Sequence, residues 1–117
     1  MAITNLSLQN IRQSYKNSIK SFGIIDDNGT ELFRILASDS RVSLVSNESD
    51  NPLQYRITVK GTDSEVARDI KVKGIKLYDA TTGGNVLTEY TYSSANIIQS
   101  GTDATIVFDY KFNVNLA

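Results

Sequence analysis

The chain of 117 residues contains neither histidine nor cysteine. Without histidine, it lacks the side chain that most often acts as a general base near neutral pH. Without cysteine, it lacks a thiol nucleophile, disulfide bonds and thiolate metal ligands. A serine–lysine pair or a carboxylate pair remains formally possible, but the acidic residues fall mainly in predicted turns and on outward strand faces. We therefore expect no enzymatic activity, no catalytic residues, no metal and no cofactor.

An excess of charge of one sign and long apolar runs are also absent. The formal net charge is −1, whereas nucleic-acid-binding proteins neutralise phosphates with clustered lysine and arginine. The basic residues between positions 56 and 76 are interspersed with acidic ones, so we expect a solvated strand face there. No stretch approaches the roughly 20 apolar residues of a membrane span, and the first residues lack the features of a signal peptide. We expect a soluble protein, made in the cytoplasm, that binds neither nucleic acid nor membrane.

Residues 5–22 have the apolar spacing of an amphipathic helix. The apolar side chains recur every three or four residues, at Leu8, Ile11, Tyr15, Ile19 and Phe22. Gly23 follows directly and is placed to end the helix in a left-handed cap. The apolar stripe is expected to cover one face or end of a sheet, and the alternative is an interface helix that docks on a partner subunit.

From residue 31 onward, apolar and polar residues alternate with the period of strands. The predicted strands cover residues 31–37, 41–46, 54–60, 69–78, 86–92 and 105–116. Within 69–78 the apolar residues change face, which predicts a β-bulge at Lys73-Gly74. The fold expected for residues 1–117 is a single, mainly β domain: an antiparallel β-sandwich or rolled sheet with one N-terminal amphipathic helix.

The last predicted strand is unusually long. Residues 105–116 would span about 40 Å at ~3.3 Å per residue, whereas a compact domain of this chain length spans about 30 Å. We therefore expect Phe108 and Tyr110 to lie in the core, and Val114 and Leu116 to lie at a subunit interface.

Two groups of side chains have the chemistry to bind a ligand. The turn from Asp26 to Glu31 offers oxygen ligands to a hard cation such as Ca²⁺, but it is much shorter than an EF-hand loop, and an ordinary solvated turn is the simpler interpretation. Tyr90 and Tyr92 share one strand face and could stack on a sugar ring, although such pairs more often pack against neighbouring strands.

Residues 75–87 predict a strand, a tight turn and the start of the next strand. Ile75 and Leu77 alternate with polar residues, as in a half-buried strand. Gly83 and Gly84 can adopt the positive φ angles that a tight reversal needs. Asp79 can accept a hydrogen bond from the backbone two residues on, and so help the chain to leave the strand.

The same segment resembles a known family. The run from Leu77 to Leu87 is similar to the "GLYDA-x-x-GG-x-LL" signature of small tailed-bacteriophage virion proteins of the tail or tail-fibre type. Residues 55–59 resemble the strand that precedes the signature, and residues 101–104, followed by a long strand, resemble the family's ending. One departure is that Lys76 occupies the place of the family's glycine before Leu-Tyr-Asp, and the nearest glycine is Gly74.

The resemblance implies a non-enzymatic structural subunit of a tailed-phage virion, in the tail or fibre region. We expect it to form homo-oligomers and to contact other virion proteins through strand edges and apolar seams. One alternative is a capsid decoration or head-fibre protein. A second alternative, from another class, is a carbohydrate-binding module that contacts a glycan on the host surface.

Overall fold

The computed structural model describes residues 5–44 and 53–112 of the chain. One helix is followed by seven strands. In chain order they are α1 (Asn5–Ser18), β1 (Ser21–Ile25), β2 (Glu31–Leu36), β3 (Val42–Leu44), β4 (Leu53–Lys60), β5 (Ile70–Tyr78), β6 (Val86–Ile98) and β7 (Thr105–Phe112). The expectation of a mainly β chain with an N-terminal helix is confirmed.

The strands form two antiparallel sheets that enclose one core. The first sheet has the order β2-β1-β5-β6, and the second has the order β3-β4-β7. Both sheets contribute buried apolar side chains to the same cluster, including Phe22 and Ile75 from the first sheet and Ile57 from the second. The rings of Phe22 and Tyr55 pack against each other across the two sheets, with centroids 5.5 Å apart. The architecture is therefore that of a small β-sandwich.

The predicted C-terminal part of the helix is wrong. Helix α1 ends at Ser18, and Phe22 lies in β1 instead. Every residue of β1 is buried, because this strand lies between β2 and β5 with both of its faces covered. A strand in that position has a continuous apolar sequence rather than an alternating one, so periodicity did not distinguish it from the end of a helix. Gly23 is thus an interior strand residue and not a helix cap.

The bulge predicted in the fifth strand is confirmed in place. The pairing of β5 with β6 changes register between Val72 and Gly74. Val72 pairs with Asn96 and Gly74 with Thr91, so one residue of β5 (position 73) faces four residues of β6 (positions 92–95). Most of the extra chain therefore belongs to β6. The irregularity lets the buried residues on either side of it face the same core.

The longest strand in the structure is β6, with 13 residues; the sequence predicted only 86–92. The molecule measures 53 × 26 × 24 Å along its principal axes. A strand of about 40 Å therefore fits within the length of the molecule, and the expected span of about 30 Å is wrong. The length of a strand alone no longer implies that it extends beyond the domain.

The last strand, β7, pairs with β4 along its full length, from Thr105 opposite Lys60 to Phe112 opposite Leu53. The side chains of Phe108 and Tyr110, predicted to be buried, lie outside the described part of the structure. Val114 and Leu116, predicted at an interface, also lie outside the described residues, so their assignment stays a prediction.

Candidate functional site

The turn between β5 and β6 is closed by residues of the predicted hairpin motif. Gly83 and Gly84 both have positive φ, 61° and 81° respectively. The Asp79 carboxylate accepts hydrogen bonds from the backbone N–H of Asn85 at 2.7 Å and from its side-chain amide at 3.1 Å. The Asp79 carboxylate therefore bonds a residue six positions further along the chain, whereas the sequence predicted a bond to the residue two positions further. These hydrogen bonds, the backbone one first, lower the pKa of Asp79.

A cluster on the outer face of the first sheet holds this hairpin against the neighbouring strands. The Arg34 guanidinium lies over the Tyr78 ring, 3.5 Å from its centroid. It also donates a hydrogen bond to the Gly83 carbonyl at 2.8 Å and forms an ion pair with Glu31 at 3.2 Å. Burial, followed by the nearby Glu31 carboxylate, raises the pKa of Tyr78. One arginine of β2 thus fixes both the end of β5 and the turn that follows it.

Gly23 makes room for this cluster. A Cβ at this position would lie 2.8 Å from Cε2 of Tyr78 and would also collide with the Glu31 side chain. The glycine therefore lets an aromatic ring lie directly on the backbone of a central strand. Sequence reasoning did not find this cluster, because Arg34 and Gly83 are 49 positions apart and no local pattern joins them.

The acidic turn before β2 uses its carboxylates separately. Oδ1 of Asp26 accepts hydrogen bonds from the backbone N–H groups of Asn28 and Thr30, at 2.9 and 2.8 Å. Glu31 instead pairs with Arg34. Within residues 5–44 and 53–112, no group of three or more acidic side chains is arranged to hold a metal ion. The turn is organised by its own backbone contacts.

The two tyrosines proposed to stack on a sugar contact each other instead of forming a flat platform. The rings of Tyr90 and Tyr92 meet edge to face, with centroids 4.9 Å apart. A nearby cleft of about 160 Å³ is lined in part by Asp26, Asp27, Glu89 and Tyr90. The structure therefore brings one of the two tyrosines next to the acidic turn, while the edge-to-face contact of the two rings differs from a flat stacking surface.

A second polar cluster joins two loops at one end of the sandwich. Arg41 forms ion pairs with Asp39 at 2.8 Å, Asp63 at 3.2 Å and Glu65 at 2.7 Å. The hydrogen bonds from Arg41 lower the pKa of Asp39 to about 2 and also lower the pKa of Glu65. The guanidinium is shared by three carboxylates of the protein itself, so this cluster has the form of a structural link between loops.

The four edge strands of the two sheets differ in their protection against pairing with other chains. Natural edges are shielded by short length, charged side chains or proline. Within the described residues, strand β3 spans three positions; β2 carries Glu31 and Arg34, and the sequence of β7 includes Asp109 and Lys111. Strand β6 is 13 residues long, with Glu89 as its single charged residue and no proline, and its one further protective feature is the irregular segment at positions 92–95. Across the described ranges, no strand pairs with the outer side of β6.

Exposed apolar side chains are concentrated on the same strand. Val86, Tyr90 and Ile97 of β6 are 46%, 49% and 61% exposed. Among the side chains that the structure describes, Leu36 on β2 and Val107 on β7 are exposed as well. A long edge with little charge and several exposed apolar side chains is suited to bind another strand. We therefore treat the outer edge of β6 as the candidate functional site.

Comparisons with protein-family models, with curated proteins and with solved structures find no match to this chain. Among residues 5–44 and 53–112, no helix has both the length and the apolar character needed to cross a membrane.

Proposed function

We propose that this protein is a non-enzymatic structural subunit of a tailed-phage virion, in the tail or fibre region, and that it assembles through the outer edge of β6. The observation that carries the proposal is this edge: 13 residues, one charge and three half-exposed apolar side chains. The resemblance of residues 77–87 to the virion-protein signature supplies the virion context. The architecture and the edge are what a subunit that acts by packing requires.

The mechanism combines two physical contributions. The unpaired backbone N–H and C=O groups of an edge strand give direction and register to an incoming strand. The apolar side chains of the edge lose solvent contact when a neighbour covers them, at roughly 25 cal/mol per Å² of apolar surface. Each contact of this kind is modest, but two or more contacts made together raise the overall avidity by roughly 10²–10⁴-fold.

The test replaces one exposed residue of β6 and one of a different edge strand. Ile97→Glu places a charge on the proposed assembly edge, opposite Lys71 of β5, which favours the folded monomer. Val107→Glu makes the same change on β7 and is the matched control, because Val107 is 49% exposed. Circular dichroism and thermal unfolding should show that both variants fold like the wild type.

Tagged wild type and variants would be produced during infection by the phage that carries the gene, and purified particles would be separated into heads and tails. We expect wild type and Val107→Glu in the tail fraction and Ile97→Glu to be lost from particles. Recovery in the head fraction would support the capsid-decoration alternative. Absence of the wild type from all particles would overturn the virion proposal, and normal incorporation of Ile97→Glu would overturn the role of β6.

A further inference from the structure

We propose that Asn28, in the acidic turn before β2, is a site of spontaneous deamidation, which converts it to aspartate and isoaspartate and adds a negative charge to the turn. The sequence points to this position first, because Asn28 is the one asparagine of the chain that is followed by glycine. The backbone nitrogen of the following residue is the nucleophile of the reaction. Glycine has no Cβ that would shield this nitrogen.

The reaction needs only water as a co-reactant. The backbone nitrogen of Gly29 bonds to Cγ of Asn28, its proton leaves with the side-chain amino group as ammonia, and a cyclic succinimide remains. Water then opens the ring at one of its two carbonyl carbons. Attack at Cγ breaks the new bond to nitrogen and gives aspartate. Attack at the main-chain carbonyl carbon gives isoaspartate, whose backbone continues through Cγ. Neither step includes an oxidation or a reduction.

The folded turn leaves both reacting groups accessible. Asn28 and Gly29 are exposed, and within residues 5–44 and 53–112 no hydrogen bond holds the side-chain amide of Asn28 in place. The N–H of Gly29 donates to the carbonyl of Asp26 at 3.3 Å, which is longer than the usual range of about 2.7–3.2 Å. A Cβ built on Gly29 meets no atom within 4 Å, so the space in which the ring would form is open.

Two other asparagines of the structure have the opposite surroundings. The backbone N–H and the side-chain amide of Asn85 are both bound to the Asp79 carboxylate, at 2.7 and 3.1 Å. The next residue, Val86, is β-branched, and its branched side chain crowds its own backbone nitrogen. Asn96 lies within β6 and is followed by Ile97, which is also β-branched. We therefore expect both asparagines to keep their amides much longer than the one in the turn.

Deamidation changes both the charge and the closure of the turn. The cleft beside the turn carries three carboxylates and one ammonium group, those of Asp26, Asp27, Glu89 and Lys73. A further carboxylate increases the excess of negative charge there. Isoaspartate also inserts a methylene group into the backbone between Asp26 and Thr30, whose two hydrogen bonds, at 2.9 and 2.8 Å, close the turn. The isoaspartate form should therefore melt at a lower temperature than Asn28→Asp, which has the same charge on a normal backbone.

Trypsin isolates the site without ambiguity. Cleavage after Lys20 and Arg34 releases residues 21–34, a peptide in which Asn28 carries the only side-chain amide. The folded protein would be incubated at mildly alkaline pH, then unfolded, digested and analysed by mass spectrometry against a sample that was not incubated. We expect this peptide to acquire the mass of an amide-to-acid exchange in two forms that separate on chromatography. Asn85 and Asn96 are internal controls that should remain unchanged over the same time.

A synthetic peptide of residues 21–34 gives the rate of the same pair outside the fold. Gly29→Ala, in the protein and in the peptide, should slow the reaction several-fold because a methyl group then shields the nitrogen. The peptide version is needed because alanine is strained at the φ of 82° that Gly29 has in the turn. The proposal would be overturned if the peptide reacts while the folded protein keeps Asn28, if Asn28 reacts no faster than Asn85, or if Gly29→Ala leaves both rates unchanged.

Discussion

Replacing Gly84 with alanine is expected to destabilise the protein more than the same replacement of Gly83, although the two glycines are neighbours in one turn. Both have positive φ. A Cβ added to Gly83 meets no atom within 4 Å, whereas one added to Gly84 would lie 2.6 Å from Oδ1 of Asp79 and 2.7 Å from Cβ of Ala80. The two substitutions therefore share a backbone cost and differ in a steric one.

The expected magnitudes follow from these two terms. A left-handed backbone costs an alanine about 1–2 kcal/mol, so Gly83→Ala should reduce the free energy of unfolding by about 1 kcal/mol. At Gly84 the collision with Ala80 adds about 1 kcal/mol or more, as overpacking does elsewhere. The total for Gly84→Ala is therefore about 2–3 kcal/mol. The same collision displaces the Asp79 carboxylate from Asn85, so the two ends of the turn should loosen together.

Urea unfolding followed by far-ultraviolet circular dichroism measures both losses. On the thermal scale, 1 kcal/mol corresponds to roughly 4 °C for a domain of this size. The substitution Asp79→Ala provides a further check, because Gly84→Ala should cost less in its presence if part of the collision is with that carboxylate. Equal losses for Gly83→Ala and Gly84→Ala, or wild-type stability for Gly84→Ala, would refute this account of the turn.

Four further predictions concern other parts of the molecule. Gly23→Ala should cost about 1–3 kcal/mol in urea unfolding, because its methyl group enters the space of the tyrosine ring above it; no loss would show that the ring can move away. Since Arg41 lowers the pKa of Asp39 from 3.8 to about 2, this pair stabilises the protein above about pH 4, and the gain is lost as the pH falls towards 2. Arg41→Met should therefore flatten the fall in melting temperature between pH 5 and 2, and an unchanged slope would contradict the assignment. The double variant Val114→Asp, Leu116→Asp should fold but fail to join oligomers or virions in sedimentation assays, and normal assembly would remove these residues from the interface. Chelation with EDTA should leave the melting temperature unchanged, whereas a drop of several degrees would place a cation in the acidic turn before β2.

The sequence predicted those strands that bury a single face. In β4, the buried residues Tyr55, Ile57 and Val59 alternate with more exposed ones, and the predicted range 54–60 differs from the observed strand by one residue. The face change in β5 likewise located the irregularity between Val72 and Gly74. In both cases the alternation records which side of the strand meets the core, so a local pattern carries the structural information.

The sequence did not predict features that depend on contacts between distant segments. Phe22 follows buried Ile19 by three residues, which is a helical spacing. Helix α1 has nevertheless ended at Ser18, and Phe22 lies in β1. Residues 93–96 of β6 have weak strand propensity, and the strand continues through them to rejoin the β5 ladder at Asn96. The partners of Arg34 and Arg41 are largely supplied by other strands and loops. Such contacts exist only after the sheets have formed.

The residues that carry the family resemblance have structural roles of their own in this protein. Asp79 closes the hairpin turn, Gly84 leaves room for its carboxylate, and Tyr78 lies beneath Arg34. A hairpin held in this way needs these residues whatever the protein binds. The motif is therefore stronger evidence for the local fold than for a particular partner. The edge of β6 differs, because the side chains of Val86 and Ile97 remain 46% and 61% exposed in the folded protein. Substitutions at those two positions are consequently the ones that separate function from stability, and they decide whether the virion context implied by the hairpin is correct.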